Sequence, residues 1–159
     1  MVTLPKISID TERLDKCFGC GGNNPIGLKL SFEWDGKVAR AEFTPAELYQ
    51  GWSGIVHGGI ITCILDEAMS HAAFSEGRPC VTATIEVKLK RPAIVDRPLI
   101  ATASITKRNR RLTEARATIH LKDGTLVAEG TATQVVIGQK RVATSDGEER
   151  SKDDAQKQS

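Results

Sequence analysis

One segment restricts the fold of this chain more than any other. From His57 to Glu76 the sequence reads HGGIITCILDEAMSHAAFSE. Ile61, Leu65, Ala68 and Ala72 recur at the spacing of one helix face, and Ile60, Ile64 and Met69 widen the stripe. A helix apolar around most of its circumference must be enclosed by other structure. Gly77, Arg78 and Pro79 end it, because glycine and proline do not continue a helix.

The flanking sequence supplies strands to enclose it. LKLSFEWD at 28–35 alternates Leu28, Leu30, Phe32 and Trp34 with polar neighbours, and Asp35-Gly36 predicts a hairpin into KVARAEFT. Residues 45–56 predict a short helical turn and a loop. After the helix, CVTATIEVKLKRP alternates Val81, Ala83, Ile85, Val87 and Leu89 against Thr82, Thr84, Glu86, Lys88 and Lys90. PLIATASITK, RLTEARATIHLK and TLVAEGTATQVVI follow, the last two joined by Asp123-Gly124. Two strands, one long helix and four strands form an α+β layout, an antiparallel sheet wrapped around a central helix.

The rest of the chain sets the boundaries. Residues 1–16 are weakly periodic and predict an N-terminal arm, and 17–137 form the domain. Residues 138–159 carry charges of both signs and almost no bulky apolar side chains, so a disordered polar tail is expected. A net charge of +2 is too small to argue for a nucleic-acid partner by itself, and none is expected, though it leaves room for a local basic patch. No apolar run reaches the length of a membrane span, and the N-terminus lacks a basic start followed by an apolar block. A cytoplasmic protein without a membrane span is the expectation.

Cys63 falls in the helical stripe and reads as a small core residue. Cys17 and Cys20 form a C-x-x-C in the turn-rich loop CFGCGGNNPIG, without a second pair, and His57, His71 and His120 have no metal-ligand spacing. A pair of reduced thiols is therefore expected, and no metal.

The chemistry is concentrated where the helix begins. Gly58 and Gly59 expose backbone N–H groups that no earlier turn satisfies, at the positive end of the helix dipole. A carbonyl oxygen can approach them closely, as an oxyanion site requires. Asp66 projects about 140° from Ile61 on a helical wheel, and Glu67 about 120° to the other side. Glu67 is therefore expected to pair with His71 at i,i+4. An acidic pair in the middle of an enclosed helix is costly unless it is paired or functional.

His57-Gly58-Gly59, with Asp66 nine positions after the histidine, resembles the HGG…D pattern of hotdog-fold thioesterases, particularly the phenylacetate-pathway (PaaI-like) branch. CFGCGGNNPIGLKL and YQGWSGIVHGGIITCILDEAM are similar to that branch, and the resemblance runs from about Cys17 to Ile137. It implies a hotdog fold and hydrolysis of acyl-coenzyme A (CoA) thioesters, with no cofactor beyond the CoA of the substrate. It also implies roles. Asp66 matches the residue that activates water or attacks the thioester, and Gly58 the N–H that polarises its carbonyl. Thr82 matches a Ser/Thr that helps hold the water from a second subunit. Many relatives carry Asn or Gln in the loop before HGG. Here Gly51 stands at that spacing with Gln50 beside it, and either Gln50 takes the polar role or the site lacks it.

CoA phosphates need cations. Lys88, Lys90 and Arg91 offer one cluster, and Lys107, Arg108, Arg110 and Arg111 another at the turn KRNRR. An uncovered sheet edge and helix side imply a homodimer or homotetramer. Three other functions fit the same layout: a hydratase or dehydratase using His57 as acid/base, a non-catalytic acyl-CoA-binding module, and a protein-interaction module whose C-x-x-C loop binds metal.

Overall fold

The computed structural model describes Asp10 and residues 14–137. The N-terminal arm lies largely, and the polar tail wholly, outside the described residues. Six strands and one long helix follow in the order β1 (Glu33–Trp34), β2 (Ala39–Phe43), α1 (Gly58–Ser75), β3 (Cys80–Leu89), β4 (Leu99–Arg108), β5 (Leu112–Leu121) and β6 (Leu126–Val136). A short 3-10 turn, Glu47–Tyr49, precedes α1. The strands form one antiparallel sheet in the order β1-β2-β4-β5-β6-β3.

The sheet curls around α1 as the apolar stripe requires. Ile61, Ile64, Leu65, Ala68, Met69, Ala72 and Ala73 of the helix are all buried. They meet alanines and branched residues of the sheet, among them Ala101, Ala103, Ala115, Ala117, Ile119 and Ala128. Small side chains dominate the sheet face because a helix lying close against a curved sheet leaves little depth for larger ones. Gly130 is the extreme case: a Cβ there would come within 3.5 Å of the Leu65 side chain and 3.2 Å of the Glu86 carbonyl.

Two expectations change. The strand expected over 28–35 shrinks to Glu33–Trp34. Lys29 sits at φ 55°, which breaks the extended run, yet Leu28 and Leu30 are still buried. Their N–H groups bond the carbonyls of Phe18 and Gly19 at 2.8 and 2.9 Å, so the segment pairs with the cysteine loop rather than with a strand.

The second change is in β3. Its register against β6 shifts between Thr82 and Thr84. Beyond the shift, Ile85, Val87 and Leu89 pair with Ala132, Gly130 and Ala128, the helix-facing positions of β6, as the alternation predicts. Before it, Thr82 pairs with buried Gln134. Paired residues share a face, so the bulge turns Thr82 toward the helix, opposite to the simple alternation. β3 is also the uncovered end of the sheet.

Candidate active site

His57 caps the start of α1. Its Nδ1 accepts the Gly59 N–H at 2.8 Å, and its carbonyl accepts from Ile60 and Ile61 at 2.9 and 3.2 Å. Gly59 is therefore not a free donor, contrary to the sequence expectation. A Cβ on Gly59 would stand 2.9 Å from His57 Nδ1, which is why the histidine fold-back needs glycine there. Gly58 keeps the first-turn N–H without an acceptor among the described residues, and a Cβ on it would meet Leu89 Cδ1 at 3.0 Å.

A groove of about 730 Å³ opens at this helix mouth. Gly51, His57, Gly58 and Leu89 line it, with Lys90 and Arg91. Gln50 does not offer its carbonyl here: Oε1 accepts the Gly54 N–H at 2.9 Å and closes the 50–54 turn. At position 51 a side chain would press on the His57 ring, 3.3 Å from Cδ2, so glycine keeps the cap free.

Two turns further along α1, Thr82 Oγ1 donates to Asp66 Oδ1 at 2.7 Å. Gln134 Nε2 donates to Thr82 Oγ1 at 3.3 Å and to Ser70 Oγ at 2.9 Å. Gln134 is fully buried, and its Oε1 has no partner among the described residues. Gln134 can only donate through Nε2, so the Thr82 proton is directed at the carboxylate, leaving Oδ2 of Asp66 outside this chain of bonds. Thr82 was expected to reach Asp66 from a second subunit; the contact is within one chain, because the β3 bulge turns Thr82 inward. Alternation alone hid Gln134. A lone amide on the apolar face of TLVAEGTATQVVI was the available signal.

Glu67 also departs from expectation. Its carboxylate faces the Cys17 thiol, with Sγ 3.7 Å from both oxygens, instead of bonding His71. His71 lies 3.4 Å from Ser75 Oγ and stacks on Phe32 with centroids 4.8 Å apart. Burial pushes the His71 imidazole pKa down, against the opposing pull of Glu67.

Of the expected cations, Lys90 pairs with Glu129 at 3.1 Å, and Lys88 with Glu86 at 3.7 Å. In the β4–β5 turn, Lys107 pairs with Glu114 at 3.7 Å and Arg108 with Glu76 at 2.6 Å. The four cations of that turn are thus not all free for a polyanion. Arg108 also ties the turn to Glu76, at the far end of α1 from Gly58.

The eight residues from Gly58 to Asp66 span roughly 12 Å of helix axis. A reacting carbonyl whose oxygen meets one group and whose carbon meets the other bridges only about 7 Å. Gly58 and Asp66 of one chain therefore stand further apart along the axis than a single carbonyl group spans.

Residues 53–128 match the family model of the thioesterase superfamily. No curated protein sequence matches the chain. Among solved structures, a hypothetical thioesterase from Streptococcus pneumoniae with coenzyme A superposes with a TM-score of 0.67 at 19% identity, over 70% of this chain and 90% of that one. The Escherichia coli PaaI protein from the phenylacetic acid degradation operon gives 0.66 at 21%, over 71% and 83%. Zebrafish thioesterase superfamily member 2 gives 0.66 at 19%, over 77% and 93%. The helix start, the helix and most of the sheet all fall within the matched segment, and the fold is the hotdog fold of the thioesterases to which the chain is similar.

Proposed function

We propose that the protein hydrolyses acyl-CoA thioesters to the free acid and CoA, in the manner of the PaaI-like branch. The observation that carries this reading is the Asp66 carboxylate, held at Oδ1 by Thr82 on an enclosed helix. Oδ2 then takes a proton from water or attacks the thioester carbon directly. The Gly58 N–H stabilises the oxyanion, aided by the positive end of α1. Lys90 and Arg91, beside Gly58 in the same groove, bind CoA phosphate, and Arg110 and Arg111 reach it only from the β4–β5 turn of a second subunit.

Because Gly58 and Asp66 of one chain lie too far apart, each site combines Gly58 of one subunit with Asp66 and Thr82 of another. The uncovered β3 edge suits such pairing, with Ile85 and Leu89 facing inward yet 36% and 55% exposed. The hydratase reading is weaker. His57 spends Nδ1 on capping Gly59, which fixes the loop.

A thiol-release assay over acyl-CoA thioesters of varied chain length and aromaticity tests the activity. Asp66→Asn should lower turnover by roughly a hundredfold or more, with the fold intact. Full turnover in Asp66→Asn, alongside loss in Glu67→Gln, would refute this choice of carboxylate.

A further inference from the structure

The sequence offers half a zinc site in Cys17-x-x-Cys20, and the fold adds a third ligand from α1. The ligand atoms of Cys17, Cys20 and Glu67 all lie within 4.8 Å of one another, each residue half-buried. Glu67 is 47 positions from Cys20, so spacing along the sequence does not connect them. We propose that Cys17, Cys20 and Glu67 bind one zinc ion, which clamps the cysteine loop onto the central helix.

Three observations carry the assignment. First, geometry: zinc at about 2.3 Å from sulfur and 2.0–2.2 Å from oxygen gives tetrahedral edges of roughly 3.5–3.8 Å. Cys17 Sγ lies 3.7 Å from both Glu67 oxygens. Second, charge: no Lys or Arg ion pair reaches Glu67 among the described residues. The carboxylate and the two thiols therefore meet with no positive charge paired to them among the described residues. Zinc supplies that charge and takes both sulfurs as thiolates, releasing two protons. Third, fit: a Cβ on Gly19, between the two cysteines, would come within 2.5 Å of the Glu67 carboxyl. A side chain here would push the carboxylate away from the two thiols.

Two thiolates and a carboxylate suit zinc better than magnesium or calcium. Water fills the fourth position. Glu67 and Asp66 leave α1 in different directions, so the ion holds the loop in place and takes no part in thioester chemistry. The loop it holds carries the backbone partners of Leu28 and Leu30, two buried core residues.

The full chain is purified under reducing conditions, stripped with a chelator, reloaded with Zn²⁺ or Co²⁺ and dialysed. The expected result is one zinc per chain. Two of the four thiols should be shielded from a thiol reagent, and the cobalt form should show thiolate-to-cobalt charge-transfer absorption. Glu67→Gln, nearly isosteric and expected to fold, should weaken zinc at least tenfold. Cys17→Ser and Cys20→Ser should abolish stoichiometric binding, while Cys80→Ser should leave it unchanged. Failure of the wild-type chain to retain zinc or cobalt would overturn the proposal, as would a Cys17–Cys20 disulfide surviving reduction. Zinc held equally tightly by Glu67→Gln would overturn the three-ligand assignment. None of these readouts depends on the hydrolytic activity.

Discussion

Thr82 Oγ1 donates to Asp66 Oδ1 at 2.7 Å, joining the start of β3 to the middle of α1. A hydrogen bond to a charged group contributes about 1.5–3 kcal/mol, so Thr82→Val should lower turnover roughly ten- to a hundredfold. Thr82→Ser keeps the hydroxyl and should stay within a few-fold of wild type. Equal losses in both variants, with unchanged melting temperatures, would show that the hydroxyl is not what matters.

Gln134 aligns Thr82 from behind, at the cost of a buried acceptor without a partner. Gln134→Met removes two donated bonds but also that unsatisfied oxygen, so stability should change by no more than about 1 kcal/mol. Turnover should fall while KM for acyl-CoA holds, because the amide directs Thr82 and does not touch substrate. Unfolding in denaturant and steady-state kinetics check the two halves separately. A KM rise with kcat intact would contradict the positioning role.

Much of this was legible in the sequence, and the failures have physical causes. Helical periodicity marked α1 because an enclosed helix needs apolar side chains on most sides, and the Asp35-Gly36 and Asp123-Gly124 turns matched Gly36 and Gly124 at φ 95° and 87°. The β3 bulge was not legible. It is a one-residue change of register that leaves the alternating composition intact, yet it decides which way Thr82 faces. The meeting of Glu67 with Cys17 and Cys20 was hidden too, because a helical wheel gives a direction but not what lies there. For the same reason the i,i+4 spacing to His71 suggested a pair that the fold replaces.

The separation of Gly58 from Asp66 predicts sharing of sites between subunits. Gly58→Pro removes the free N–H at the first helical position, where proline is tolerated. Neither it nor Asp66→Asn should be active alone. Co-refolded, half of the dimers are mixed, and each mixed dimer has one intact site, so activity should recover to about a quarter of wild type. No recovery from well-folded mixed dimers would mean that each site is complete within one chain.

Phosphate contact acts mainly on ground-state binding, so losing it raises KM more than it lowers kcat. Arg91 lines the groove beside Gly58, whereas Lys107 and Arg108 are already paired to Glu114 and Glu76. Arg91→Ala should raise KM for acyl-CoA and barely affect an N-acetylcysteamine thioester. Arg110→Ala with Arg111→Ala should act the same way if the β4–β5 turn of a partner reaches the nucleotide. Equal losses on both substrates would mark these residues as structural.

His71 makes stability depend on pH. Burial lowers its pKa in the folded state below the ordinary value of 6.5, against the opposing pull of Glu67. The unfolded chain therefore takes up a proton first as pH falls through 6.5, while the folded state resists it. Its contribution is fully present above 6.5 and is lost on acidification toward the lower folded pKa. His71→Phe keeps a ring against Phe32 and removes the titration. The melting temperature of the variant relative to wild type should therefore rise progressively between pH 7 and pH 5, roughly the span over which an imidazole titrates. A difference that stays constant across that range would mean that His71 keeps its ordinary pKa in the fold.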